Sequence, residues 1–351
     1  MKKNVAKLSQ TAVLKAVPVT LTFEQVLTDE YCIIDVRSPQ EFLDGSLPEA
    51  INIPIFDNEE RKLVGTVYKY GGPEKAVDTG FDLVESRMAK FLEGFEQYRG
   101  KNIAIFCARG GMRSRSVVNL LKHHGYTVWQ IEGGYKKYRN LLLGVFENFS
   151  PKCIVLHGHT GTGKTRILQH LSNMIDLEGI AQHQSSLFGG LNRQPRTQKN
   201  FDSHFHQVIC RLGAEPYFIE GESRKLGGIY LPPGLASAMK CGHLVLVTAS
   251  IETRVSRIVE DYPIKDDETV QKVERILKSL RGKLGQAVTD KLCMLFKENK
   301  LHELVHILLV EYYDKRYANS MKNYTYHLEV SSEDIPKVAE TLTEFRDALL
   351  P

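Results

Sequence analysis

Over the first 146 residues, short apolar runs alternate with amphipathic stretches. Apolar, β-rich runs at 31–36, 103–106 and 127–131 predict strands, and amphipathic spacing over 81–98 and 114–123 predicts helices. Strands separated by helix-length segments imply an α/β fold with a parallel sheet. A second strand-loop-helix start falls at 153–156, after a turn-like stretch at 147–152 that contains Asn148, Ser150 and Pro151. The domain boundary is therefore expected between 146 and 147. Beyond it, 217–220 and 243–247 read as buried strands and 201–211 as a helix. From about residue 251 the pattern becomes mostly helical, with helices expected at 268–283, 289–298, 301–313 and 334–350. The expected architecture is a parallel-sheet domain over 1–146 and a second α/β domain over 147–351 with a helical C-terminal part. No internal repeat or low-complexity tract interrupts this order.

Length agrees with that division, since 351 residues at about 150 per domain make two units. With 42% hydrophobic and 25% charged residues, wholesale disorder is excluded. No apolar run approaches the roughly 18 residues of a membrane helix. Lys15 interrupts the opening stretch before a signal-type run develops, so a cytoplasmic protein without membrane association is expected. Forty-six basic and 42 acidic residues give a formal charge of +4, too small to demand a nucleic-acid partner and compatible with one held by a local patch. The six cysteines, Cys32, Cys107, Cys153, Cys210, Cys241 and Cys293, include no C-x-x-C pair. Neither a disulfide framework nor a zinc site is expected, and any special cysteine must act as a thiolate.

One cysteine has such a setting. The strand IAIF runs into Cys107-Ala-Arg-Gly-Gly-Met-Arg113-Ser114 and then a helix. A loop that enters a helix turns successive backbone N–H groups inward and adds the helix dipole, which favours a thiolate and a tetrahedral anion above it. Gly110 and Gly111 permit the turn. Arg113 and Arg109 can supply fixed charge and a planar fork for anionic oxygens. A buried, inert cysteine would need neither the glycines nor the arginines. The spacing C-x5-R is shared by rhodanese-type sulfurtransferases and cysteine phosphatases, so it does not by itself choose the reaction.

The second loop is Gly158-His-Thr-Gly161-Thr-Gly163-Lys164-Thr165, between the strand CIVLH and the helical RILQHL. This is a phosphate loop in its required context. Its N–H groups should cradle a diphosphate, Lys164 should neutralise the outer oxygens, and the Thr165 hydroxyl should coordinate magnesium. A carboxylate at the end of a neighbouring strand is expected as well. YFIE supplies Glu220 in place of the usual aspartate, with Glu222 two residues on as either a second such carboxylate or a surface residue.

The segments IIDVRSPQEFLDGSLPEAINIPI (33–55) and GYTVWQIEGGYKKY (125–138) resemble the rhodanese family over about the first 140 residues. That resemblance implies an internal structural ion pair between Asp35 and Arg37, a persulfide on Cys107, and a Gly133-Gly134 pair closing the fold near the active loop. In the second domain, LEGIAQHQSSLFGG (177–190) and IEGESRKLG (219–227) stand beside the phosphate loop. A rhodanese-like domain fused to a P-loop domain, with these elements in this order, resembles the tRNA 2-selenouridine synthase family along nearly the whole chain. The resemblance implies an enzyme acting on 2-thiouridine at the tRNA wobble position. Such an enzyme geranylates the sulfur from geranyl diphosphate, then replaces the S-geranyl group with selenium from selenophosphate. The phosphate loop, with Mg2+, would then suit the geranyl diphosphate. The cysteine loop would suit selenophosphate, with selenium passing to Cys107 as a selenylsulfide. A selenophosphate-supplying enzyme is a candidate partner.

Other features are weaker. His204 and His206 lie on different sides of a helix with no third metal ligand evident, which favours surface or phosphate contact over a metal. Arg193, Arg196 and Lys199 suit tRNA phosphates, the prenyl diphosphate or simply a polar loop. Lys272, Arg275, Lys278 and Arg281 recur every third residue on a helix and are either a solvated face or tRNA contacts. Three alternative functions stay open at this point: a sulfurtransferase fused to an ATP-dependent kinase, a cysteine phosphatase-like enzyme, and a catalytically silent first domain that docks tRNA.

Overall fold

The computed structural model describes residues 17–350 apart from 29, 185, 192, 222, 322 and 323. The chain divides into two units, Met1–Val145 and Phe146–Pro351. In the first, β1 (Thr20–Leu21), β2 (Cys32–Asp35), β3 (Ile51–Asn52), β4 (Ile103–Phe106) and β5 (Val128–Ile131) form one sheet in the order β1-β5-β4-β2-β3. Every pairing is parallel. All four residues of β4 are fully buried, as a central parallel strand covered by helices on both faces requires. Ile34, Ile105, Val117, Leu121 and Val128 belong to the core around it. The chain leaves β2 towards one edge of the sheet and β4 towards the other, which opens a crevice at the carboxyl ends of these two strands. Asp35 ends β2, and Cys107 follows β4.

The long helix Asn58–Glu85 departs from the expected pattern, which placed one helix at 81–98. Instead, that span contains the end of this helix, the short helix Met88–Glu93 and a 3-10 turn at Glu96–Tyr98. Asp57 and Glu60 start the long helix with a reciprocal capping box, each accepting from the other's backbone N–H at 2.8 Å. Gly72 kinks it, with φ 85° and ψ 173°, just before Pro73. Gly-Gly-Pro reads locally as a stop, and the backbone does leave helical geometry there, so two helical stretches meet at Gly72.

In the second unit, β6 (Cys153–His157), β7 (Met174–Ile175), β8 (Tyr217–Glu220), β11 (His243–Thr248) and β12 (Leu328–Ser331) form a parallel sheet, ordered β12-β11-β6-β8-β7. Between them, β9 (Lys225–Leu226) and β10 (Ile229–Tyr230) make a separate antiparallel pair. β6 is the central strand, and the phosphate loop leaves its carboxyl end. The helix after that loop is short, Lys164–Leu168, and stops before the expected RILQHL run is complete. The C-terminal part is helical as expected, with two refinements. The 268–283 span divides into Asp267–Ser279 and Arg281–Leu284, and the 301–313 span becomes Leu301–Leu308 followed by a π-helical turn, Leu309–Tyr313. No helix among the described residues is long and apolar enough to cross a membrane.

Candidate active sites

Cys107 is buried, and its Sγ lies 3.2 Å from Ser114 Oγ, at the start of the helix Met112–His123. Ser114 is itself held by Gln130, whose side-chain amide donates to Ser114 Oγ at 2.7 Å and to Gly110 O at 2.8 Å. Gln130 is a buried polar residue in β5, so the neighbouring strand sets the loop's shape. Sequence reasoning missed it. The available signal was a glutamine inside an otherwise apolar strand.

Gly133 and Gly134 have φ of 70° and 56°. A Cβ on Gly134 would lie 2.3 Å from Cys107 O and 2.4 Å from Gly110 N, a space no side chain fits. The chain then bonds back to the loop, Tyr135 N to Cys107 O and Lys136 N to Ala108 O, both at 2.9 Å. Asp35 and Arg37 form a buried pair with Nη2 to Oδ2 at 2.6 Å, and Ser46 Oγ and Gly45 O complete their hydrogen bonding. The Arg37 guanidinium also lies 4.0 Å from the centre of the Tyr135 ring.

The two loop arginines differ. Arg109 is exposed at the rim. Arg113 turns its fork onto Glu41, Nη1 to Oε2 at 2.7 Å and Nη2 to Oε1 at 3.2 Å. Burial would raise the Glu41 pKa, but the Arg113 hydrogen bonds and charge outweigh it and hold the carboxyl down at about 2. Glu41 thus stays ionised and neutralises Arg113 beside the loop.

In the second unit, Gly158, Gly161 and Gly163 all have positive φ. Lys164 Nζ folds back on the loop, donating to Gly158 O at 2.9 Å and His159 O at 3.4 Å. Thr165 Oγ1 donates to Glu220 Oε1, and Glu220 is only 1% exposed at the end of β8. A hydroxyl and a carboxylate side by side are oxygen donors of the kind magnesium takes. Glu222 lies outside the described residues.

Two arginines that sequence reasoning did not single out brace the loop from the helix Ile251–Asp261. Arg254 Nε donates to Thr160 O at 2.9 Å, and its Nη1 and Nη2 reach Asp314 at 3.0 and 2.6 Å. Arg257 Nη1 donates to Thr162 O at 3.0 Å and to Ser332 Oγ at 2.9 Å. Their i, i+3 spacing on one buried helix face was the legible signal. His157, at the end of β6, packs against Tyr324 with ring centres 4.8 Å apart. Burial, and then the charge of Lys164, push the His157 pKa down to about 4, so the ring is neutral beside the loop at neutral pH.

The weaker sequence features lie elsewhere in this unit. Arg196 donates to Gly179 O and Ile180 O, carbonyls of the helix Leu177–Ala181. His204 and His206 sit on Gln198–Ile209, both with pKa lowered by burial, and no cluster of three or more metal-ligating side chains occurs among the described residues. Lys272 pairs with Glu268 at 2.8 Å and Lys278 with Glu274 at 3.4 Å, while Arg275 and Arg281 are exposed.

The chain is similar in sequence to known proteins. A family model for the tRNA 2-selenouridine synthase AAA domain matches residues 151–348, and one for the rhodanese-like domain matches 22–141. The tRNA 2-selenouridine synthase of Hydrogenovibrio crunogenus is 33% identical over 337 residues, covering 87% of this chain and 93% of that protein. That of Pseudomonas syringae is 31% identical, covering 90% and 96%. That of Nitrosomonas europaea is 37% identical over 244 residues, 66% of this chain and 63% of the relative, so this match spans under two thirds of the Nitrosomonas protein.

Proposed function

Because the chain belongs to the tRNA 2-selenouridine synthase family, we propose that it converts wobble 2-thiouridine in tRNA to 2-selenouridine, with its two loops serving two successive steps. In the first, the 2-thiouridine sulfur attacks C1 of geranyl diphosphate and diphosphate leaves. The phosphate loop takes the diphosphate, with Lys164 turned from its carbonyls onto the departing oxygens. Thr165 and Glu220 would hold Mg2+, which when bound compensates the leaving charge. Arg254 and Arg257 keep the loop's backbone in place.

In the second step, selenium replaces the geranyl-bearing sulfur. A thiocarbonyl sulfur leaves poorly, whereas an S-alkylated sulfur leaves as a thiol, so alkylation makes the exchange feasible. Over the whole step, selenophosphate, water and the S-geranyl nucleoside give phosphate, 2-selenouridine and geranyl thiol, with no net oxidation or reduction. Cys107 serves this transfer and Arg109 the selenophosphate anion. The exposed cations Arg275 and Arg281, with Lys272 and Lys278, contribute to holding the tRNA backbone.

The observation that supports this reading most directly is the union of a built thiol loop and a built phosphate loop in one chain that matches the family along most of its length. The test is to incubate the protein with 2-thiouridine tRNA, geranyl diphosphate and Mg2+, with and without selenophosphate, and identify the nucleosides by mass spectrometry. S-geranyl-2-thiouridine should form without selenophosphate and 2-selenouridine with it. ATP turnover with unmodified tRNA would overturn the reading in favour of a kinase fusion.

A further inference from the structure

The first unit holds a cleft of about 780 Å³ that opens onto Cys107. That volume lies within the range of about 300–1,000 Å³ typical of small-molecule sites. Selenophosphate is a small, fully polar anion and accounts for neither the size nor the lining. Val64, Tyr68 and Val77 from the helix Asn58–Glu85 form one wall, with Phe56, Phe91 and Leu120 elsewhere around it. Cys107, Arg109 and Arg113 make the loop end polar, and Arg61, Glu85 and His124 are further charged or polar side chains in an otherwise mostly apolar lining. A Cβ on Gly80 would lie 2.9 Å from the Phe56 ring, so glycine there lets that ring lie close against the helix.

We propose that this cleft binds the S-geranyl chain of the alkylated nucleotide and holds it beside Cys107 while geranyl thiol departs. The inference rests on the two-step reading above and adds a site to it. Its occupant should be apolar along most of its length and anionic at one end, because the walls are mostly apolar and the exposed Arg109 stands at the loop end. An S-prenylated nucleotide has this composition: a branched hydrocarbon chain on a base attached to a phosphate backbone. Burying the chain draws the alkylated base to the thiol loop in preference to the unmodified one. The cleft then favours the order alkylation before selenation.

The test uses the full chain, selenophosphate and short anticodon stem-loop RNAs carrying either S-geranyl- or S-methyl-2-thiouridine, with formation of 2-selenouridine as the readout. The wild type should favour the S-geranyl RNA by roughly tenfold or more in kcat/KM, chiefly through KM. Val77→Trp, which fills the cleft from a half-buried position, should lower that preference roughly tenfold. Tyr68→Ser, at a residue 60% exposed and so free of folding demands, should lower it in the same direction. Equal use of both RNAs by the wild type, or a geranyl preference that neither variant moves, would overturn the cleft assignment and leave the two-step reading standing. Failure to convert either RNA would overturn the reading itself.

Discussion

Arg113 and Glu41 meet across 72 residues of chain, the guanidinium donating to both carboxylate oxygens at 2.7 and 3.2 Å. The pair ties the helix that follows the cysteine loop to the helix Pro39–Asp44, and the carboxylate keeps the arginine's fork off the thiol. Glu41 is ionised to about pH 2, against an ordinary value of 4.5. A carboxyl with a depressed folded pKa stabilises above its unfolded pKa and loses that contribution as pH falls towards the folded one. Glu41→Gln should therefore cost about 1.5–3 kcal/mol at pH 7. The deficit should shrink between pH 4.5 and 2, as followed by denaturant unfolding at a series of pH values. A constant deficit across that window would show that the charge of Glu41 is not what stabilises.

Cys107→Ser should fold normally and lose selenium incorporation, because a hydroxyl is not ionised near neutral pH as a thiol can be. The other cysteines lack this setting. Burial, and secondarily the charge of Glu215, push the Cys153 thiol up to about 12, and burial raises that of Cys210. Replacing Cys32, Cys153, Cys210, Cys241 or Cys293 singly should leave turnover within a small factor, as measured by 2-selenouridine yield. A folded single variant without activity would identify a second functional thiol.

The two steps should separate by mutation. Lys164→Ala should lose geranylation, whereas Cys107→Ser should keep it. Supplied with prepared S-geranyl-2-thiouridine tRNA and selenophosphate, Lys164→Ala should form 2-selenouridine, and Cys107→Ser should leave the geranylated tRNA unchanged. If Lys164→Ala fails on this intermediate while folding and binding tRNA normally, the phosphate loop belongs to selenation.

Arg257 touches no reacting atom and acts through the backbone of the loop. Arg257→Met removes donors to Thr162 O and to Ser332, and should lower geranylation kcat/KM roughly 10- to 100-fold by misplacing the cradle. Lysine should not restore it, since one ammonium cannot reproduce the fork. Conversion of the prepared S-geranyl intermediate should be spared. Equal damage to both half-reactions would indicate a general loss of fold.

Lys272, Arg275 and Lys278 should contribute to the salt dependence of tRNA binding. Replacing all three by alanine should reduce the slope of log affinity against log salt by up to about three. Lys272 and Lys278 already have acidic partners, so the reduction should fall below that limit. An unchanged slope would mark the run as an ordinary solvated face.

Both chemical loops were legible because their requirements are local: glycines where the backbone turns, a cation or thiol at a set spacing, and a strand before them. The braces gave weaker signals. Gln130 interrupts an apolar strand and Arg254 shares a helix face with Arg257, but their partners, like those of Glu41 and Ser332, are selected only by tertiary packing. Strands β1, β3 and β7 have two residues each, too few to show any alternation. The first half of the helix Asn58–Glu85 lay hidden for another reason: Gly71, Gly72 and Pro73 read as a terminus, and much of its surface lines a cleft instead of a core.

The hydrogen bond from Ser332 Oγ to Thr162 O, at 2.6 Å, spans 170 residues of sequence. During synthesis the phosphate loop leaves the ribosome long before the serine that fastens it. At typical elongation rates that interval is roughly 10–30 s. A nascent chain stalled before β12 has already exposed every residue of the phosphate motif, yet it lacks both the edge strand and this fastening. The loop gains this fastening only once β12 and Ser332 have emerged, so a chain truncated before Leu328 should carry the whole phosphate motif and yet hold it less firmly.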